Sequence, residues 1–371
     1  MKPGLLLLLL SMAARAIAVF PADKSNAKTE LEQTYYFYHG NSYGSQGNFN
    51  PANVIINGGY GIWQVYPHVL DRNLLKAPYR SWWGNTWDDI RNPVSTVKQF
   101  GLKKFLTTEI FPLSGDINQS QFIPNYFLHG IGAGMLSRET EEWYGWHGFK
   151  NARLLSFFSM YAYHLLSEVV ENKGSTKLSV DAVADLYVFD LGGILLFYNE
   201  GVCRFFSHKL GLSEWSLQPA YNWKTGQLEN MGQFYVMRYP QRSGPGWSLF
   251  VHYGLHGMVG LSRKDKRGHS ISFAAGLMVE NLREVDSTAP GLVKTADITW
   301  SGGVFYDINN SAMFSATFSG YRHNRLKINL YPGLVEWKGL SPGLFICNNG
   351  SWVTGISLMR FPLGAATSSG H

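Results

Sequence analysis

Residues 247–256 read WSLFVHYGLH, and their two-residue period decides the fold. Trp247, Leu249, Val251, Tyr253 and Leu255 alternate with Ser248, Phe250, His252, Gly254 and His256. Successive side chains of a strand point to opposite faces, so the segment carries one bulky apolar face and one smaller, more polar face. The same rhythm returns downstream. Ile271, Phe273, Ala275, Leu277 and Val279 alternate with Ser270, Ser272, Ala274, Gly276 and Met278, and Ala312, Phe314, Ala316 and Phe318 with Met313, Ser315, Thr317 and Ser319. Turn residues Lys264 to Gly268 and Asn309-Asn310 separate the runs. Short alternating segments with turns between them predict a mostly β chain whose wall faces lipid and encloses a filled interior.

Working outward, about nine strands follow residue 206 and two or three precede the middle of the chain, Tyr35–Tyr38 and Val54–Tyr66 among them. The expected fold is an antiparallel transmembrane β-barrel of about 10–12 strands with a three-helix insert. The last strand, Trp352–Phe361, leaves 362–371 as a tail. At the other end, Lys2, the apolar run Leu5–Leu10 and the small residues of Ala16-Ile17-Ala18 form a secretory leader, with cleavage expected after Ala18. The organisation is thus a leader at 1–18, N-terminal strands and an irregular Trp/Pro/Asn-rich connector at 19–121, a helical insert at 122–206, strands at 207–361, and the tail.

Composition agrees with a wall. Only 16% of residues are charged and 15% are aromatic, against about 25% charged in an average soluble protein. The net charge of +6 is small, and no Lys/Arg block is interleaved with aromatics, which excludes a nucleic-acid partner. Outer-membrane lipids or lipopolysaccharide, and the barrel-assembly machinery, are the expected partners. Cys203 and Cys347 are the only cysteines, so one disulfide or two thiols are both open.

The insert carries the chemistry. Asn125–Trp143 and Asn151–Glu171 have a helical period, and the second run, LLSFFSMYAYHLLSEVV, is too short and too polar to span a bilayer. Ser179 caps a third helix, and Gly130, Gly132 and Gly134 permit close helix packing. His164, Glu168 and Glu171 share one helical face, and Asp181 and Asp185 share a face of the next helix. If the two helices form a hairpin the acidic faces meet, and His129 reaches the same region. Such a set serves either as a general base or as a holder of a divalent cation; it also serves plain helix packing. No HExxH motif, G-x-S-x-G elbow or phosphate loop is present to name a metal, nucleophile or cofactor. His252 and His256 share a strand face and are expected in the interior.

The stretches NYFLHG (125–130), SEVVE (167–171), DAVAD (181–185) and FDLGG (189–193) resemble a group of poorly characterised exported Gram-negative proteins with a domain of unknown function. The resemblance covers roughly 80 residues. It implies an outer-membrane location and a helical insert, and it places His129, Glu168, Asp181 and Asp185 first among the candidate residues. The expected role is that of a structural or transport-related envelope protein whose insert plugs the lumen or sits at its periplasmic mouth. The alternatives are a lipid- or lipopolysaccharide-modifying enzyme using the His/Glu/Asp set, and a soluble periplasmic ligand-binding β-protein.

Overall fold

The computed structural model describes residues 35–65, 73–112, 123–171, 179–286, 292–321 and 325–369. The expected secretory leader and cleavage site lie outside the described residues. A layer of helices precedes a large sheet. Its main members are α1 (Pro51–Gly61), α2 (Tyr79–Ile90), α3 (Gly134–Trp146), α4 (Ala152–Glu171) and α5 (Asp190–Phe197). The strands are β1 (Ser213–Glu214), β2 (Ala220–Asn222), β3 (Gln227–Glu229), β4 (Tyr235–Tyr239), β5 (Gly246–Tyr253), β6 (His256–Lys264) and β7 (His269–Asp286). They continue with β8 (Leu292–Ile308), β9 (Ser311–Ser319), β10 (Leu326–Leu330), β11 (Pro342–Asn348), β12 (Trp352–Leu358) and β13 (Gly364–Ser369).

All 13 strands belong to one mixed sheet in the order β1-β4-β5-β6-β7-β8-β9-β10-β11-β12-β13-β2-β3. This corrects the expectation of a closed antiparallel barrel of 10–12 strands. From β4 to β13 the strands run as an antiparallel meander, but β13 then pairs in parallel with β2, and among the described residues β1 and β3 at the two ends do not pair with each other. The reason is local. Residues 213–222 leave the helical layer along β4 and arrive beside β13, so both margins of the meander bind the same crossing segment instead of one another. Alternation within a strand reports which face is buried; it carries no information about the partner of the last strand.

Facing directions follow the alternation. Leu249, Leu261 and Phe273 are in register across β5, β6 and β7 and lie exposed, whereas the adjacent row Ser248, Ser262 and Ser272 is buried. The inner face combines a hydrophobic cluster of Trp215, Val236, Phe250, Met258, Phe305 and Tyr331 with a hydrogen-bonded polar network. Arg238 donates to Ser262 at 3.0 Å and to Asn310 at 3.1 Å, and it pairs with Asp307, whose other carboxylate oxygen accepts the Asn310 N–H at 3.2 Å.

The N-terminal strand predicted at Tyr35–Tyr38 and the described part of the one at Val54–Tyr66, residues 54–65, are not strands; Tyr66 lies outside the described residues. The backbone N–H groups of Tyr36, Phe37 and Tyr38 donate to the Glu142 carboxylate at 2.8–2.9 Å. Residues 51–61 are α1: Asn50 accepts the Asn53 N–H at 2.9 Å as N-cap and Pro51 occupies the first turn, a pairing worth about 1 kcal/mol to a helix start. Gly58 and Gly59, which resemble strand interruptions, let the Tyr163 and Leu166 side chains of α4 lie against the α1 backbone; a Cβ at Gly58 would meet the Tyr163 ring at 2.1 Å. The tail is also structured, because Gly364–Ser369 forms β13 against β12. One hydrophobic cluster joins Met135, Leu136, Met160 and Phe197 of the helices to Tyr235 and Tyr253 of the sheet, so the helical layer is seated on the strands. No helix among the described residues is long and apolar enough to cross a membrane.

Candidate functional site

His129 lies in a π-helical segment, Ile123–Ala133, that runs directly into α3. His164 and Glu168 come from α4, one turn apart. Asp181 opens a short helix, Asp185 begins a second π-helical segment (Asp185–Phe189), and Asp190 begins α5. π-Helical segments are uncommon, and two of the four among the described residues deliver His129 and Asp185. The glycines set the approach: a Cβ at Gly193 would lie 2.4 Å from the Gly130 carbonyl oxygen, and one at Gly134 would lie 2.6 Å from the Gly193 carbonyl oxygen. Only bare backbones bring His129 this close to the start of α5. The Tyr163 ring, held against Gly58, stacks on His164 with centroids 4.1 Å apart.

The result is two adjoining triads. His129, His164 and Asp190 each offer one ligand atom within 4.8 Å of the others, and Glu168, Asp181 and Asp185 do the same. His129 bridges them, with Nδ1 2.9 Å from Asp190 Oδ1 and Nε2 3.5 Å from Asp185 Oδ2. Its side chain is 17% exposed, the most accessible of these three, while His164 is 2% exposed. His164 Nδ1 lies 3.0 Å from Asp190 Oδ2, and His164 Nε2 has no hydrogen-bond partner among the described residues.

Electrostatics separate the two imidazoles. Burial alone would lower the His129 pKa, but Asp185, Asp190 and, after them, Glu168 raise it well above its ordinary value. Burial lowers the His164 pKa despite Asp190, and the His129 charge adds to that, so His164 is neutral. The Asp190 carboxyl, which burial would push up, is held below its ordinary value by His164 and His129. Burying an ionisable group costs several kcal/mol in desolvation, so four acids gathered around two imidazoles form an expensive arrangement to maintain for packing alone.

The structure therefore brings together all five residues singled out from the sequence, His129, His164, Glu168, Asp181 and Asp185. Glu171, at the end of α4, stays outside the triads. Glu141 and Glu142 are structural: Glu141 pairs with Arg153 at 3.1 Å and Glu142 with Arg138 at 2.9 Å. The residue missed is Asp190. It follows Asp185 by five positions, a step that an α-helix places on different faces, but the intervening π-helical segment turns both carboxylates to the same side.

His252 and His256 do lie on the inner face of the sheet, 2.6 Å apart between Nδ1 and Nε2. Burial first, then His256 and Arg238, holds His252 well below its ordinary pKa; burial and Lys327 bring His256 to about 3. The pair is neutral and lines a cavity of about 30 Å³, room for one or two waters. Cys203 and Cys347 are both buried and free. No protein-family model, curated protein or solved structure matches the chain, so the chemistry must be read from these residues themselves.

Proposed function

We propose that the protein is an envelope enzyme that hydrolyses an ester bond in a lipid or lipopolysaccharide, with the six-residue His/carboxylate centre as its active site. The observation that carries this reading is the convergence of His129, His164, Glu168, Asp181, Asp185 and Asp190, including a buried imidazole whose Nε2 is left free for a ligand. A nest of this kind orients a water and takes away its proton. The water oxygen then bonds to the acyl or phosphoryl centre, the ester bond breaks, and the released alcohol recovers a proton.

The lipid assignment is supported by surface chemistry. The helices that carry the centre expose Leu154, Phe158, Leu195 and Leu196, and the outer sheet face exposes Trp247, Leu249, Val259, Leu261, Ile271, Phe273 and Trp300. Large apolar side chains exposed on the outer sheet face and on these helices form patches that favour contact with lipid. A purely structural or transport role needs no unpartnered imidazole in the helical layer, so the enzymatic reading takes precedence.

The test is incubation of the purified chain with vesicles of phospholipid and lipopolysaccharide, followed by mass spectrometry of the lipids. Time-dependent release of a hydrolysis product, reduced at least 100-fold in Glu168→Gln, is expected, the size typical of losing an acid–base group. Intact lipids, or equal product from both proteins, would sink the reading.

A further inference from the structure

We propose that the centre binds two divalent cations side by side, one at His129/His164/Asp190 and one at Glu168/Asp181/Asp185. The inference builds on the hydrolytic reading above and names the agent that activates its water. Three observations point to it. The six residues divide into two sets of three, each with its donor atoms within 4.8 Å of one another. Donors around one ion, each about 2.1 Å from it, lie roughly 3–4 Å apart, so a small contraction completes either set. His129 stands next to both sets, 2.9 Å from Asp190 and 3.5 Å from Asp185, which makes the two positions neighbours.

The second observation concerns the His164 imidazole itself. His164 is almost fully buried, its Nδ1 lies 3.0 Å from Asp190 Oδ2, and its Nε2 has no hydrogen-bond partner among the described residues. An unpartnered buried polar atom ordinarily costs about 1–3 kcal/mol, and a coordinated ion removes that cost.

The third is donor chemistry. Two imidazoles with a carboxylate suit manganese, iron or zinc, whereas three carboxylates suit a harder ion such as magnesium or manganese. Manganese satisfies both. Paired ions of this kind, about 3.5–4 Å apart, clamp the attacking and leaving oxygens of a displacement, the step a lipid phosphoester requires. Four buried carboxylates are then balanced by two dications.

The experiment uses the full-length purified protein, stripped with a chelator and titrated with Mn²⁺. Bound metal is counted by elemental analysis, and electron paramagnetic resonance reads the spin coupling. About two Mn²⁺ per chain with a spin-coupled signal are expected. His164→Ala should reduce the count to about one and remove the imidazole nitrogen couplings, and Glu168→Gln should vacate the other position. No saturable binding, a single uncoupled ion, or counts unchanged in both variants would overturn the inference. If either variant does not fold, by circular dichroism, the wild-type count and coupling decide. Failure here and failure of the hydrolytic reading are distinguishable. Two ions with no lipid product refute the enzyme and keep the metal site; lipid hydrolysis by the stripped protein does the reverse.

Discussion

The helical layer and the inner face of the sheet both bury charge, and they treat it in opposite ways. In the sheet, Arg238 meets Asp307, Ser262 and Asn310, and Asp307 also takes a backbone N–H, so the charges satisfy one another. In the helical layer, two imidazoles and four carboxylates converge while His164 Nε2 stays unpartnered. A closed network holds a shape. An open set of donors, maintained at a cost in desolvation, is what a ligand or a reaction uses.

The largest expected effect tests the closed side. Arg238→Ala leaves Asp307 buried without its cation and should destabilise the protein by about 3–5 kcal/mol in denaturant unfolding. A change under about 1 kcal/mol would show that the sheet network does little for stability and would remove the contrast.

The border between the regions gives a pH effect. Glu214 and Glu139 are buried carboxyls with raised pKa values; burial brings Glu214 from its ordinary 4.5 to about 7. A group that binds its proton more tightly when folded stabilises the fold fully below its unfolded pKa and loses that contribution as pH rises through its folded pKa. Stability should therefore fall between pH 4.5 and about 7, by up to about 3 kcal/mol. Glu214→Gln should flatten that slope in unfolding measured at stepped pH, and a slope unchanged in the variant contradicts the assignment.

A smaller change sharpens the open side. Gly193→Ala places a methyl against the Gly130 carbonyl and should cost about 1–3 kcal/mol in thermal unfolding as the helices part. Because the same contact positions His129 against Asp190, the variant should also weaken Mn²⁺ binding. Full binding with lowered stability would separate the packing from the site.

Part of this was legible in the sequence. The strand rhythm at 247–256 identified the buried face, because a period of two is a property of each strand alone. The faces of α4 and of the following helix grouped His164 with Glu168 and Asp181 with Asp185, since α-helical spacing is equally local. What escaped was non-local or non-standard. The crossing of 213–222, which leaves the sheet open, depends on contacts with β4 and β13 far along the chain. Residues 54–61 carry strand-forming Val54, Ile55 and Ile56, but the Asn50 cap and the room made by Gly58 and Gly59 for α4 favour the helix. Asp190 was hidden because a π-helical segment, which no spacing rule anticipates, joins it to Asp185.

The most direct measurement compares two carboxylates of equal burial, one from each region. Asp190→Asn and Asp307→Asn should be assayed together for unfolding free energy and for lipid product formed per folded molecule. The account predicts that Asp190→Asn keeps its fold and loses at least 100-fold in product formation, while Asp307→Asn unfolds more easily and stays active when folded. An active Asp190→Asn, or an Asp307→Asn that is stable but inactive, would contradict it.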